Sequence, residues 1–399
     1  MKVYFVTKST FPYGMAPTNR IQCYAKAILS QGIECKVLVY VRSEGSIINR
    51  GNTIGEGVFD GIPFEYMGKS SYRDNNFIKR NFNKLFDKKR LLCFLRNNLN
   101  AGDVVFYYAP YDLLWTDLII RIAHFKKAYF VRELCELPHG TTLETKILKL
   151  KRKIVFFHQF PQYDGVVSIS ETLLELAKKY AGKDTKHIKI PILVDYEKFA
   201  IPDLSKDADK FFIFHAGSLF EQKDGFVGMI EAFGMACSKL NHNIKFISTG
   251  SLSNSPHAVE IKEIIYKYGI EGDVKFTGYL NNEQLRDYLS KASVVIINKY
   301  ETQQNRYCFS TKLAEYMAAS KAIIITRFGE AMNWLEERKN ALIVEPHNLN
   351  QLAESIALLY EDDDLRKKIG KEGNLLCQNC FRYEVYGNKM VDFFKSLSR

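Results

Sequence analysis

The stretch Tyr307–Ala318, YCFSTKLAEYMA, followed by the apolar run Ala322–Ile325, decides how this chain is read. It describes a loop entering a helix, and then a buried strand. The first N–H groups of a helix lack partners within it and carry partial positive charge, so a diphosphate can be held there without a side chain. Glu315 lies about one turn in, where a carboxylate can accept hydrogen bonds from vicinal hydroxyls such as those of a ribose. The plainer alternative is that Ser310 or Thr311 only caps the helix and Glu315 is a surface acid. The surrounding sequence has to decide.

Outward from this stretch, short apolar segments alternate with helical patterns. In the second half they are Phe211–Ala216, Ile244–Ser248, Val274–Phe276, Val294–Asn298 and Ala322–Thr326. In the first half they are Lys2–Val6, Glu34–Val41, Asp103–Tyr108, Ala128–Val131, Gly165–Ser168 and Ile188–Ile190. Such alternation predicts parallel sheets covered by helices on both faces. The expected fold class is α/β, with two Rossmann-like doubly wound domains facing a cleft. Residues 43–75, punctuated by six glycines, read as loop, and the polar segment 201–210 reads as a linker between domains at 1–200 and 211–380.

Ligands of open α/β sheets sit beyond the carboxyl ends of the strands. Four segments of the second half fall there: Gly217-Ser218 with Lys223 close behind, Gly250, Gly278-Tyr279, and Phe309-Ser310-Thr311-Lys312 with Glu315. A glycine at 217 lets a ligand approach the backbone, and a nearby lysine can place its ammonium on a phosphate.

The formal charge of +11 is uneven: residues 1–200 hold 31 Lys+Arg against 19 Asp+Glu, and residues 201–399 hold 25 against 26. The first half therefore predicts an anionic partner. Between Lys79 and Arg96 seven cations alternate with Phe82, Leu85, Phe86, Leu91, Leu92, Phe94 and Leu95, and a second basic cluster, Lys146–Lys153, precedes Ile154–Phe157. Basic amphipathic helices of this kind lie on anionic lipid, or else turn their apolar residues to a core. An anionic membrane surface met through 79–96 and 146–157 is the expectation. With no recognised module beside the charge, nucleic acid is not expected.

Eight scattered cysteines do not form a disulfide framework. Cys377 and Cys380 lack a second pair, no histidine stands at ligand spacing, and no metal is expected. No window reaches the roughly 18 apolar residues of a membrane span, and no signal peptide opens the chain. A cytoplasmic protein, peripheral at the inner face of a membrane, is expected.

The second half resembles the donor domain of GT-B, family-4-type glycosyltransferases (glycosyl transferases group 1) of the kind found in bacterial polysaccharide biosynthesis. The resemblance rests on HAGSL with KDG (215–225), FTGYL (276–280), FSTKLAEYMA (309–318), AIIITRFGE (322–330) and NALIVEP (340–346). Weaker matches are VVSISE (166–171), IKIPILVDYEKF (188–199), and FRYE (381–384), which resembles the start of a final helix crossing back to the first domain over 381–399.

The resemblance implies a retaining transferase taking a nucleotide-sugar to a hydroxyl of a glycan or polyprenyl-diphosphate-linked acceptor, without cofactor or metal. It implies that Lys223 and the N–H groups of Phe309–Lys312 hold the diphosphate and Glu315 the ribose. Gly14, with Met15, Asn19 and Arg20 behind it, falls at the family's glycine-rich loop, with Arg20 a diphosphate candidate. Glu133 and Glu136 stand where many members place a histidine touching the sugar, with His139 further out. Two departures stand out. Tyr307 replaces the first of the family's two glutamates, and Ser218 lies where many members carry an arginine, a charge that Arg306, Lys312 or Arg327 would have to supply. These departures favour the alternative reading, a non-catalytic homologue that binds a nucleotide-sugar or docks at a membrane.

Overall fold

The computed structural model describes residues 1–45, 51–109, 112–137, 146–202, 204 and 210–398. Two compact units emerge, Met1–Leu193 with Tyr383–Arg399, and Val194–Arg382.

In the first unit β1 (Val3–Thr7), β2 (Cys35–Val39), β3 (Glu56–Phe59), β4 (Ile62–Tyr66), β5 (Val104–Tyr108), β6 (Tyr129–Leu134), β7 (Gly165–Ser168) and β8 (Lys186–Lys189) form one sheet. Their order is β3-β4-β2-β1-β5-β6-β7-β8, parallel except for the β3–β4 hairpin. Parallel strands are covered on both faces and so read as unbroken apolar runs; VYFVT in β1 and VVFYY in β5 are buried at every position. The hairpin corrects the loop expected over 43–75. Asp60 at φ 48° and Gly61 at φ 79° make its two-residue turn, for which Asp-Gly flanked by apolar residues is a favoured sequence.

In the second unit β9 (Phe211–His215), β10 (Ile244–Ser248), β11 (Val274–Phe276), β12 (Val294–Ile297), β13 (Ala322–Thr326) and β14 (Leu342–Val344) run parallel in the order β11-β10-β9-β12-β13-β14. The direction of strand progression reverses between β9 and β12. The loops leaving those strands part there and open a crevice beyond their carboxyl ends.

The chain enters the second unit at Val194, ahead of the linker expected at 201–210, of which residues 203 and 205–209 lie outside the described residues. Val194 N donates to Phe381 O at 2.9 Å and bridges to Arg382, so the entering and leaving segments are tied together. Beyond that tie, the helix Gly387–Lys395 supplies Met390, Phe393 and Phe394 to the first unit's core, with the Phe394 ring edge-on to Phe106 at 6.2 Å.

One buried ion pair crosses the first core. Arg20, from the helix Ala16–Leu29, meets Glu133 of β6 at 2.8 Å, each side chain about 1% exposed. Its other nitrogens donate to Pro191 O at 2.7 Å and Ile190 O at 2.9 Å, and its guanidinium lies over the Tyr24 ring. The expectation of Arg20 facing a diphosphate is thereby corrected: all three nitrogens point inward because Glu133 and two carbonyls offer the partners that a buried guanidinium needs. Arg20→Met leaves an uncompensated buried carboxylate and is expected to destabilise the first unit by about 3–5 kcal/mol in urea unfolding. The double variant Arg20→Met/Glu133→Met is expected to recover most of that loss, since no charge then stays buried.

Candidate functional site

The loops at the second unit's switch point are organised by one acid. After β9 the chain passes through Gly217 and Ser218 into the single turn Glu221–Asp224, closed by Gly225 at φ 55°. Asp224 is buried and accepts from Ser218 N at 3.3 Å and, at shorter range, from Ser218 Oγ. Lys299, buried just beyond β12, places Nζ 3.1 Å from the Asp224 carboxylate and 3.0 Å from Lys223 O. Lys312 Nζ lies 3.9 Å from the same carboxylate. Burial disfavours charge on Asp224, but Lys312, Lys299 and the Ser218 hydroxyl outweigh it and hold the carboxyl far below its usual range. Burial pushes the Lys312 pKa down, against the pull of Asp224.

The N–H groups of this loop are engaged internally: Ala216 donates to Tyr316 Oη and Gly217 to Thr249 Oγ1, each at 3.0 Å. What Gly217 offers is room, because a methyl group there would strike Lys312 Nζ and the His215 ring. Lys223, whose carbonyl Lys299 holds, carries its side chain in solvent at the rim.

The opposite wall is the helix Thr311–Ala318. Ser310 occupies its N-cap without a side-chain capping bond, so the plainer reading of this residue does not hold. Leu313, Ala314, Tyr316 and Met317 are buried, while Thr311, Lys312 and Glu315 are half-buried. Phe309 turns its ring into the unit's core beside Trp334 and Phe381, leaving only its backbone for a ligand. Tyr307 ends the short helix Gln303–Tyr307 and is half-buried.

Of the cations weighed as substitutes near Ser218, Arg306 pairs with Glu301 at 2.9 Å and Arg327 with Glu345 at 2.7 Å, both at the surface. Lys312 is the one at the site. Gly250 follows β10, packed so that a methyl group would strike Leu219, whereas Gly278 and the exposed Tyr279 follow β11, two strands away from the switch point. At this crevice nothing in the sequence pointed to Lys299.

The first sheet reverses its order between β1 and β5, and a pocket of about 200 Å³ opens there. Lys8, Ser9, Tyr108, Arg132, Glu133 and Glu136 line it. Glu133 and Glu136, two of the expected residues, are brought together, while Lys8, Ser9 and Arg132 were missed. Glu133 Oε1 takes Arg20 and, at 3.4 Å, Tyr24 Oη. Glu133 Oε2 is buried with no hydrogen-bond partner among the described residues.

Met15 is exposed ahead of the helix Ala16–Leu29, and Asn19 is half-buried on it. Gly14 packs so closely that a methyl group would strike the Thr10 and Thr18 hydroxyls. His139 lies outside the described residues.

The basic segments face outward. Along the helix Phe77–Asn98 only Asp87, Leu91 and Leu95 are buried, and Phe77, Ile78, Phe82 and Leu85 are all more than half exposed. The core-facing alternative therefore fails for the first half of this helix. Ile147, Leu150 and Phe157 are likewise exposed in the second cluster. The helix Leu113–Phe125 bridges the two clusters, with Lys88 bonded to Asp112 just ahead of it and Gln159 donating to Leu113 O and Asp117. No described helix is long and apolar enough to cross a membrane.

His215 sits beneath the second unit's crevice, its Nδ1 3.1 Å from Ser248 Oγ, and burial, helped by the charge of Lys312, pushes its pKa down to about 3. The unfolded chain, with an ordinary histidine near 6.5, then binds the proton first as pH falls. Stability of the second unit is expected to drop below about pH 6.5 by up to about 1.4 kcal/mol per pH unit. Between pH 7 and 5 urea unfolding should register a loss of about 2 kcal/mol that His215→Gln removes.

Residues 197–375 match the profile of the family glycosyl transferases group 1. An uncharacterized glycosyltransferase of Methanocaldococcus jannaschii is 23% identical over 325 residues, 78% of this chain and 84% of that protein. CapM, a capsular polysaccharide biosynthesis glycosyltransferase of Staphylococcus aureus, is 23% identical over 266 residues, 63% of this chain and 65% of that one. Among solved structures, Anabaena HepE in complex with UDP-glucose superposes with a TM-score of 0.72 at 16% identity over 100% of both chains. Sucrose-phosphate synthase from Thermosynechococcus elongatus does so with 0.73 at 14% over 99% of this chain and 98% of its own. The two parallel-sheet units are those of the GT-B fold, and the second unit is similar to the group 1 glycosyl transferases.

Proposed function

We propose that this chain is a glycosyltransferase that moves a sugar from a nucleoside-diphosphate-sugar to a hydroxyl of a glycan or lipid-linked glycan, with retention of configuration. The observation that carries the reading is the convergence of Lys312 and an uncapped helix start on the space above Gly217, with the Asp224–Lys299 pair fixed beneath. The UDP-glucose complex of HepE, a protein of the same fold, supports a nucleotide-sugar as donor.

In this reading the bond from the anomeric carbon to the diphosphate oxygen breaks, and the electron pair goes to the diphosphate. Lys223, Lys312 and the N–H groups of the helix start meet the developing charge, taking the part that a divalent metal plays elsewhere. Glu315 accepts the ribose hydroxyls and Tyr307 orients the sugar. The acceptor oxygen attacks the face from which the diphosphate departs, and its proton passes to a phosphate oxygen.

The acceptor is proposed to enter the first unit's pocket. Leaving a buried oxygen such as Glu133 Oε2 unsatisfied costs about 1–3 kcal/mol, which a hydroxyl of the acceptor would recover. The outward row of Phe77, Ile78, Phe82 and Leu85 among lysines and arginines supports docking on the cytoplasmic face of an anionic membrane, where a lipid-linked acceptor would lie.

In a thermal-shift series of UDP, GDP, ADP, CMP and dTDP, selective stabilisation by one base is expected. Lys312→Ala and Glu315→Ala should each weaken that binding at least about tenfold, the loss of one charged contact. Indifference to every nucleotide sinks the reading, and binding without release of nucleotide from any sugar donor in the presence of glycan acceptors favours the non-catalytic alternative. For the membrane, the chain is expected to float with phosphatidylglycerol-containing vesicles at low salt. Ile78→Ser/Phe82→Ser should cut the bound fraction severalfold, each cation contributing about 1 kcal/mol that salt screens.

A further inference from the structure

Two side chains five residues apart and a third from further along the chain converge at the end of the second sheet opposite the crevice. Cys237 lies in the last turn of the helix Phe226–Lys239, His242 in the turn that follows, and Asp273 just ahead of β11. Cys237 and Asp273 are buried and His242 is exposed. Cys237 Sγ is 3.5 Å from His242 Nδ1 and 3.5 Å from Asp273 Oδ2, and Nδ1 is 2.6 Å from Oδ2.

The same ring nitrogen meets both partners. A nucleophilic relay needs the two nitrogens of the imidazole on different partners, so this cluster is not one. Three ligand atoms aimed at a single point suit a metal ion. Tetrahedral zinc, with Zn–S about 2.3 Å and Zn–N and Zn–O about 2.0 Å, spaces sulfur from nitrogen or oxygen by about 3.5 Å and nitrogen from oxygen by about 3.3 Å. Two of the three spacings already match, and the third is reached by breaking one hydrogen bond.

We propose that Cys237, His242 and Asp273 form a zinc site whose fourth position opens to solvent beside the imidazole. Lys245 Nζ holds the other Asp273 oxygen at 2.9 Å, which leaves Oδ2 directed at the cluster and serves as the outer support such ligands need. Lys210 is bonded to His242 O rather than to a ligand atom.

On binding, the thiol gives its proton to solvent, and Nδ1, which donates to Asp273 Oδ2 in the metal-free cluster, gives up its proton as well. A neutral imidazole protonated on Nε2, the solvent side, results, so thiolate, neutral imidazole and carboxylate face the ion. Burial and Asp273 push the Cys237 pKa up to about 12, which keeps the metal-free thiol protonated and unreactive. The ion would pin the end of a core helix to β11, an edge strand of three residues. The sequence reading, which found no histidine at ligand spacing, missed the site for two reasons. Asn241 and His242, at φ 51° and 58°, fold the ring back over Cys237, and Asp273 arrives from elsewhere in the chain.

The test is titration of the full, reduced, chelator-treated chain with Zn²⁺ by calorimetry and with Co²⁺ by absorption. One equivalent of zinc, and a cobalt spectrum with tetrahedral bands and thiolate charge transfer, are expected. Cys237→Ser should abolish the charge-transfer band and weaken zinc at least about 100-fold, and His242→Asn, exposed and at ease in a left-handed turn, at least about tenfold. Absence of saturable binding overturns the proposal. So does binding that both variants leave unchanged. Should Cys237→Ser fail to unfold cooperatively, His242→Asn alone decides.

Discussion

The Asp224 carboxylate, buried between Lys299 and Lys312, is the constraint on which the second unit's crevice depends. A carboxylate alone in a protein interior would give up its charge by taking a proton. Two ammonium groups and the Ser218 hydroxyl keep this one ionised, and it in turn draws together segments 75 and 88 residues further along the chain. The arrangement is paid for before any ligand arrives. Positive charge thus stands fixed at the mouth of a crevice by partners within the fold itself.

The first unit solves a similar problem with opposite emphasis. Arg20 is fully enclosed and its nitrogens are matched by Glu133 and two carbonyls, whereas Glu133 is matched on one oxygen only. The pair thus serves as a mount, a cation holding an acid at the wall of a pocket with one oxygen still to be satisfied. The exposed apolar row on the helix Phe77–Asn98 is a second feature that the first unit's own packing does not require, since Asp87, Leu91 and Leu95 suffice to seat that helix.

The sheets were legible because parallel strands are apolar along their whole length, and runs such as VVFYY and AIIIT admit little else. The β3–β4 hairpin was hidden by the glycines around it, although its Asp60-Gly61 turn carried the signal. The helix start at Ser310 could be read from its own stretch of sequence, whereas Glu133, inside β6, and Glu136 just past it were pointed to by resemblance alone. Lys299 could not be read at all. A lysine after a strand reads as surface, and nothing local announces an aspartate 75 residues earlier. Arg20 failed for the same reason, its partner lying 113 residues away. Phe309 shows the converse: the sequence places it just ahead of the helix start, but only packing reveals that its ring belongs to the core.

The tie between Val194 and Phe381 marks the second unit as an insertion within the first. During synthesis the stretch Val194–Arg382 is therefore complete while the first unit, though begun earlier, still lacks Met390, Phe393 and Phe394 from its core. The half made first is the half finished last. A ribosome that stalls or a protease that trims within the final helix thus strips apolar packing from the unit encoded at the opposite end of the message, and leaves the other intact.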